Sequence, residues 1–280
     1  MFVEFKHALR NSLGQILGWG LGLALLGLLL VPMYDSFAAE GEAFEEMLDM
    51  FPSEVMAFFG DLGAMTTPEG YLSIEFFSYM PLILGIYAVQ AGTGLLAKDE
   101  EEGTLDLIIA HPVSRIRLFI GRILAFLLAI AAVLVIAWLG IFLPMSWSSM
   151  SLSAVEVARP FLSLYAEMAL FGSLGLLLSM LLPSRRWASM VSGLLLVASF
   201  FITGLSQLNE DLENIAWLSP LKYYQTQSAF SGLNTEWIFG LVAAGLVFVL
   251  LAVWRFMRRD LRVAGEGGWK IKDRLPFKPG

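Results

Sequence analysis

Few residues in this chain could do chemistry, and their spacing excludes most of it. The histidines, His7 and His111, lie far apart, and no His-Glu-x-x-His pair or Gly-x-Ser-x-Gly elbow accompanies them. Neither a helix-borne zinc site nor a hydrolase nucleophile therefore assembles from local motifs. No Gly-x-x-x-x-Gly-Lys-Ser/Thr loop occurs, which removes the commonest phosphate cradle. With no cysteine, thiolate catalysis, thiolate metal ligation and disulfides are also excluded. Three features remain. One acid, Glu167, sits inside an apolar run. Lys98–Arg122, KDEEEGTLDLIIAHPVSRIRLFIGR, is acidic and then basic. Residues 35–75 hold ten acids and no Lys or Arg. That last stretch lacks the Asp-x-Asp-x-Asp-Gly spacing of a calcium loop and is expected to be a solvated face with amphipathic helical character around Phe44–Phe59.

The elements that must position these residues are hydrocarbon-compatible. The chain is 57% hydrophobic and 15% charged, against the roughly one-quarter charge of a soluble domain. Six apolar runs each approach the roughly 20 residues a helix needs to cross a bilayer, at about 12–33, 76–97, 123–143, 161–182, 188–207 and 237–256. The expected fold is an all-α integral membrane protein with six transmembrane helices, occupying 1–262, with a basic tail at 263–280. Residues 1–10 place Phe2, Phe5 and Leu9 at helical spacing opposite Glu4, Lys6 and Arg10, which predicts an N-terminal amphipathic helix on the membrane surface. Gly14, Gly18 and Gly22 recur every fourth residue and predict a close packing face on the first span.

Charge sets the orientation. The N-terminus, the 98–122 loop, the 183–187 turn and the tail carry 16 of the 18 Lys and Arg; the opposite loops carry 15 of the 25 acids. The positive-inside rule places both termini in the cytoplasm. The basic tail is then matched to anionic headgroups, not nucleic acid.

Within the cytoplasmic loop, Asp99 to Glu102 are expected at a helix start, where carboxylates suit the positive end of the macrodipole. Leu105, Ile108 and Ile109 supply an apolar stripe edged by Glu102 and Asp106. Pro112 ends that helix by restricting His111. Ser114 is placed to cap a second helix running through Arg115, Arg117 and Arg122 into the third span. Glu167, by contrast, is expected near the outer end of the fourth span, within reach of interfacial water. An acid at that depth is a candidate contact for substrate or protons.

EEGTLDLIIAHPVSRIRLFIGRILA resembles the signature of type-2 ATP-binding-cassette (ABC-2) exporter permeases, in which Glu-x-Gly-Thr-Leu leads into Pro-x-Ser-Arg between the second and third spans. Six spans, the N-terminal amphipathic helix and Ser219-Pro220-Leu221-Lys222-Tyr223 before the last span agree with it. The resemblance implies that this loop is a coupling helix seated in a separate ATPase subunit, with Glu101, Glu102, Gly103, Thr104, Leu105, Asp106, Pro112, Ser114 and Arg115 at or near the contact. It implies a second permease chain, identical or not, and ATP with Mg bound in the partner and no cofactor or catalysis in this chain. It places the protein in the plasma membrane, among lipid. Unlike fused members of the family, these 280 residues carry neither an ATPase domain nor a large external domain. Two rivals stand beside this reading. One is a membrane scaffold or immunity protein that binds an ATPase without transporting. The other is an ion-driven secondary transporter using Glu167, which leaves the acidic run at 99–102 without a purpose.

Overall fold

The structure, a computed structural model, describes residues 2–39, 62–101, 103, 115–206 and 210–258, and no strand occurs among them. Six long helices form the body: α1 (Phe2–Ala39), α2 (Met80–Glu101), α3 (Arg115–Phe142), α4 (Ala154–Leu181), α5 (Arg185–Leu205) and α6 (Thr235–Arg258). All six are long and apolar enough to cross a membrane.

The expected surface helix is not a separate element. Residues 2–10 are helical but continue without a break into the first span. No Gly or Pro separates them, and the Ser12 hydroxyl donates back to the Ala8 carbonyl at 3.0 Å instead of capping a new helix. At 38 residues, α1 is roughly 57 Å long and overhangs a hydrocarbon core of about 30 Å.

α1 packs chiefly on α3, but not through the predicted glycines. A Cβ on Gly14, Gly18 or Gly22 would meet nothing within 4 Å. The buried face instead runs through Ile16, Gly20, Leu23, Gly27, Leu30 and Tyr34, alternating steps of four and three as interlocking helices require. Close approach occurs where Gly27 meets Gly140 and where Gly140 meets the Ala24 backbone. Leu17, Leu21, Leu25 and Leu29 face outward on the other side, each more than half exposed, which suits lipid.

α4 is the hub, packing against α2, α3, α5 and α6. Its apolar stretch is 72% buried, against 17% for α5 and α6, which line the outside. α4 begins at Ala154, about two turns before the expected fourth span, because Ser153 and Glu156 form a reciprocal capping box: Ser153 N–H donates to Glu156 at 2.7 Å, and Glu156 N–H to Ser153 at 3.3 Å. α2 crosses α4 where Gly92 lies against the Gly172 carbonyl and the Phe126 ring from α3 fills the space a side chain on Gly172 would take. Thr93 then reaches Ser189 on α5 at 2.9 Å.

The two ends of the bundle differ in charge and closure. At the acidic end, the short helix Pro68–Leu72 and a π turn at Ser73–Phe77 lead into α2. The segment 213–234 folds back over α4 and α6. Phe77, Phe161 and Phe230 join the two pieces, with ring centroids 5.0–5.9 Å apart. Arg159 donates to the Phe230 carbonyl at 2.6 Å, and Gln225 makes two hydrogen bonds with the Asn234 backbone. The acidic stretch at 40–61, including the predicted helices there, and the tail beyond Arg258 lie outside the described residues.

Candidate functional site

The acidic run at the end of α2 is the first part of the site. Lys98, Asp99, Glu100 and Glu101 form the last turn of α2, not the first turn of another helix. Carboxylates there face the negative end of the macrodipole, a cost of about 0.3–1 kcal/mol each when exposed. Partners from two other helices offset it. Arg122, one of the few buried cations, reaches down from α3 to donate to the Leu95 carbonyl at 2.6 Å and to pair with Asp99. Glu101 accepts the backbone N–H of Arg185 at 3.0 Å, which places its carboxylate at the positive N-terminus of α5 beside the Ser184 cap. The expectation that these acids begin a helix is overturned for Asp99–Glu101, which end α2; among them Glu101 alone is shown at a helix N-terminus, that of α5.

α2 stops at Gly103, whose φ of 68° lies in the left-handed region, with its N–H donating to the Glu100 carbonyl at 3.2 Å. Glycine ends the helix there without the steric cost a side chain would bring. α3 starts at Arg115. Of the residues expected at the ATPase contact, Glu101, Gly103 and Arg115 thus flank the connection between α2 and α3. Glu102, Thr104, Leu105, Asp106, Pro112 and Ser114 lie outside the described residues, as do the predicted corner and cap.

The second part is Glu167, which is not near an outer surface. It lies thirteen residues into α4, midway along it, and is 0% exposed. Neither carboxylate oxygen has a hydrogen-bond partner among the described residues. One turn nearer the acidic end, the Ser163 hydroxyl accepts the Gln225 N–H at 2.9 Å. Tyr224, within electrostatic reach of Glu167, donates to the Phe77 carbonyl at 3.0 Å. The carboxyl thus lies buried at mid-helix beneath the folded-back 213–234 segment, while the junction sits at the C-terminal end of α2.

Sequence reasoning missed Arg122 as the junction's centre and the clasp of Ser163, Tyr224 and Gln225 over Glu167. The first offered little signal, because the apolar run begins only after Arg122 and leaves the arginine at its edge. The clasp had none, because its partners are about 60 and 150 residues apart in sequence.

A family model described as ABC-2 family transporter protein matches residues 4–261. The chain therefore belongs to the ABC-2 transporter family, and is an integral membrane permease component of an ABC transporter. Compared with curated proteins, the chain has no match.

Proposed function

We propose that this chain is the transmembrane subunit of an ATP-driven exporter, working with a separate ATPase that seats on the segment between α2 and α3. The supporting observation is mechanical. That segment leaves α2 at Gly103 and enters α3 at Arg115, and its base is tied to α3 by Arg122–Asp99 and to α5 by Glu101–Arg185. A push applied there moves three spans together, α2, α3 and α5, and reaches α4 through the tight Gly92–Gly172 crossing. The charge asymmetry supports a cytoplasmic placement of this end and of both termini.

A second copy of the permease, identical or not, would complete the transporter, with ATP and Mg in the partner ATPase. Glu167 would act midway along α4. Displacing the 213–234 segment exposes a carboxyl that can then meet water or a polar group of the cargo. Catalysis by this chain is no part of the reading, since hydrolysis belongs to the ATPase.

Co-purification from the native membrane followed by ATPase and transport assays in lipid tests this. An ATP-binding-cassette subunit should accompany the chain, and substrate should stimulate hydrolysis. A scaffold predicts an associated ATPase without stimulation or transport. An ion-driven carrier predicts transport with no ATPase at all, and either result would refute the proposal.

A further inference from the structure

A cavity of about 610 Å³ opens at the basic end between α1 and α2, floored by α3. Its walls are two helical stripes. On α1, Glu4, His7, Asn11 and Gln15 recur at steps of three and four, and on α2, Tyr87, Gln90, Gly94 and Lys98 do the same. The α1 stripe covers roughly 16 Å along the helix axis; Asn11 already bonds His7 at 3.1 Å, and the deeper amide, Gln15, reaches the level of lipid chains. Polar groups at that depth require water, a ligand or a partner beside them.

The chemistry of the walls is selective. Arg185 lies with its guanidinium over Gly94, where a Cβ would stand 3.2 Å away, and it makes no ion pair among the described residues. The Asp99 carboxylate, which also lines the space, is already held by Arg122. Tyr87 is 4% exposed and lines the cavity, and its hydroxyl has no hydrogen-bond partner among the described residues. Its ring stands against Trp19, centroids 5.7 Å apart, bridging the two helices. A half-buried cation, an idle hydroxyl and neutral amides suit an anionic group that can accept several hydrogen bonds.

Beyond the polar stripe, the same faces turn apolar. On α1, the positions following Gln15 at helical spacing are Gly18, Gly22 and Leu25, and both glycines face open space. On α2, those following Gln90 toward the acidic end are Ile86 and Ile83, 47% and 38% exposed. The surface is therefore polar and cationic at the basic end and smooth and apolar toward the middle of the bilayer. A headgroup and acyl chains are ordered the same way in the leaflet at that end.

We infer that this crevice binds the headgroup of an anionic amphiphile drawn sideways from the cytoplasmic leaflet, with its chains along Gly18, Gly22, Ile86 and Ile83, and that such amphiphiles are the permease's substrate class. The substrate assignment rests on the proposed transport function. The binding site does not.

Native mass spectrometry of the full chain, released from mixed phosphatidylglycerol and phosphatidylcholine, tests the site. One phosphatidylglycerol should be retained per chain, with about tenfold preference over phosphatidylcholine, the size of one charge-assisted contact. Arg185→Gln should remove that preference, and Tyr87→Phe should weaken it about threefold. Arg258→Gln, at a cation stacked on Trp254 at the far end of α6, should leave it unchanged. A melting curve for each variant checks folding, and Tyr87→Phe, which deletes a single hydroxyl, keeps the test valid if Arg185→Gln fails it. Equal retention of both lipids, or an unaltered preference in both crevice variants, overturns the site. So does complete displacement by glycerol 3-phosphate, which would mark a soluble anion site, or lipid loss on self-association, which would mark an interface between copies. If phosphatidylglycerol binds as described yet leaves the assembled transporter's ATPase unstimulated while another substrate stimulates it, the substrate assignment falls and the transport function stands.

Discussion

Replacing Arg122 by Met should loosen the joint between α2 and α3 without removing bulk from it. The arginine side chain is 9% exposed and its Asp99 partner 22%. Deleting one member of a fully buried pair costs about 3–5 kcal/mol, chiefly through the charge left behind. The residual exposure of Asp99 lets water answer part of that charge, which brings the expected loss to about 2–3 kcal/mol. Losing the donor to the Leu95 carbonyl adds about 1 kcal/mol. For a chain of this size, each kcal/mol lowers Tm by about 2–4 °C, so thermal unfolding in detergent should fall by roughly 6–16 °C.

The double variant Arg122→Met with Asp99→Asn provides the sharper reading. With the orphaned charge also removed, it should recover at least about 1 kcal/mol relative to the sum of the two single changes. The same pair should couple in function: each single variant lowers transport per ATP hydrolysed more than the double does. A single-variant loss below about 1 kcal/mol, or strict additivity, would refute the idea that this pair joins the two spans.

Other expectations follow from single contacts. Glu167→Gln should leave Tm unchanged or raised, since the carboxyl has no partner to lose, while transport falls; a lowered Tm would reveal a partner in the folded state. Gly140→Val should prevent normal α1–α3 packing because its Cβ would overlap the Ala24 backbone, whereas Gly18→Val should be tolerated, a contrast that limited proteolysis or melting reads directly. Gly103→Ala should destabilise by about 1 kcal/mol through the left-handed backbone, and an unchanged melting curve would place the helix end elsewhere. Ser153→Ala should cost about 1 kcal/mol by removing half of the α4 capping box.

The number and order of the membrane helices were legible in the sequence because hydropathy over twenty residues depends on the segment alone. The polarity of the acidic run was not. Whether Asp99–Glu101 begin or end a helix depends on Arg122 and on the α5 N-terminus, contacts spanning 23 and 84 residues. Glu167 was misplaced for a local reason: starting the fourth span at Phe161 ignored Ser-x-x-Glu at 153–156, a capping signal in plain view. The glycines of α1 misled in the opposite way. Spacing at 14, 18 and 22 is compatible with close packing, but the heptad of large residues at 16, 23 and 30 chose the face, because burying leucine and isoleucine gains more than bringing glycine close. The same glycines then lie on the open side, continuing the polar stripe.

The central claim is that force from an ATPase enters between α2 and α3. It is tested most directly by placing a photoreactive amino acid at Leu105 of the full chain, irradiating the assembled complex in membranes, and identifying what it joins. Cross-linking to the ATP-binding-cassette subunit, at higher yield there than from the 183–187 turn, is the predicted result. Cross-linking from the 183–187 turn with none from Leu105 would contradict it.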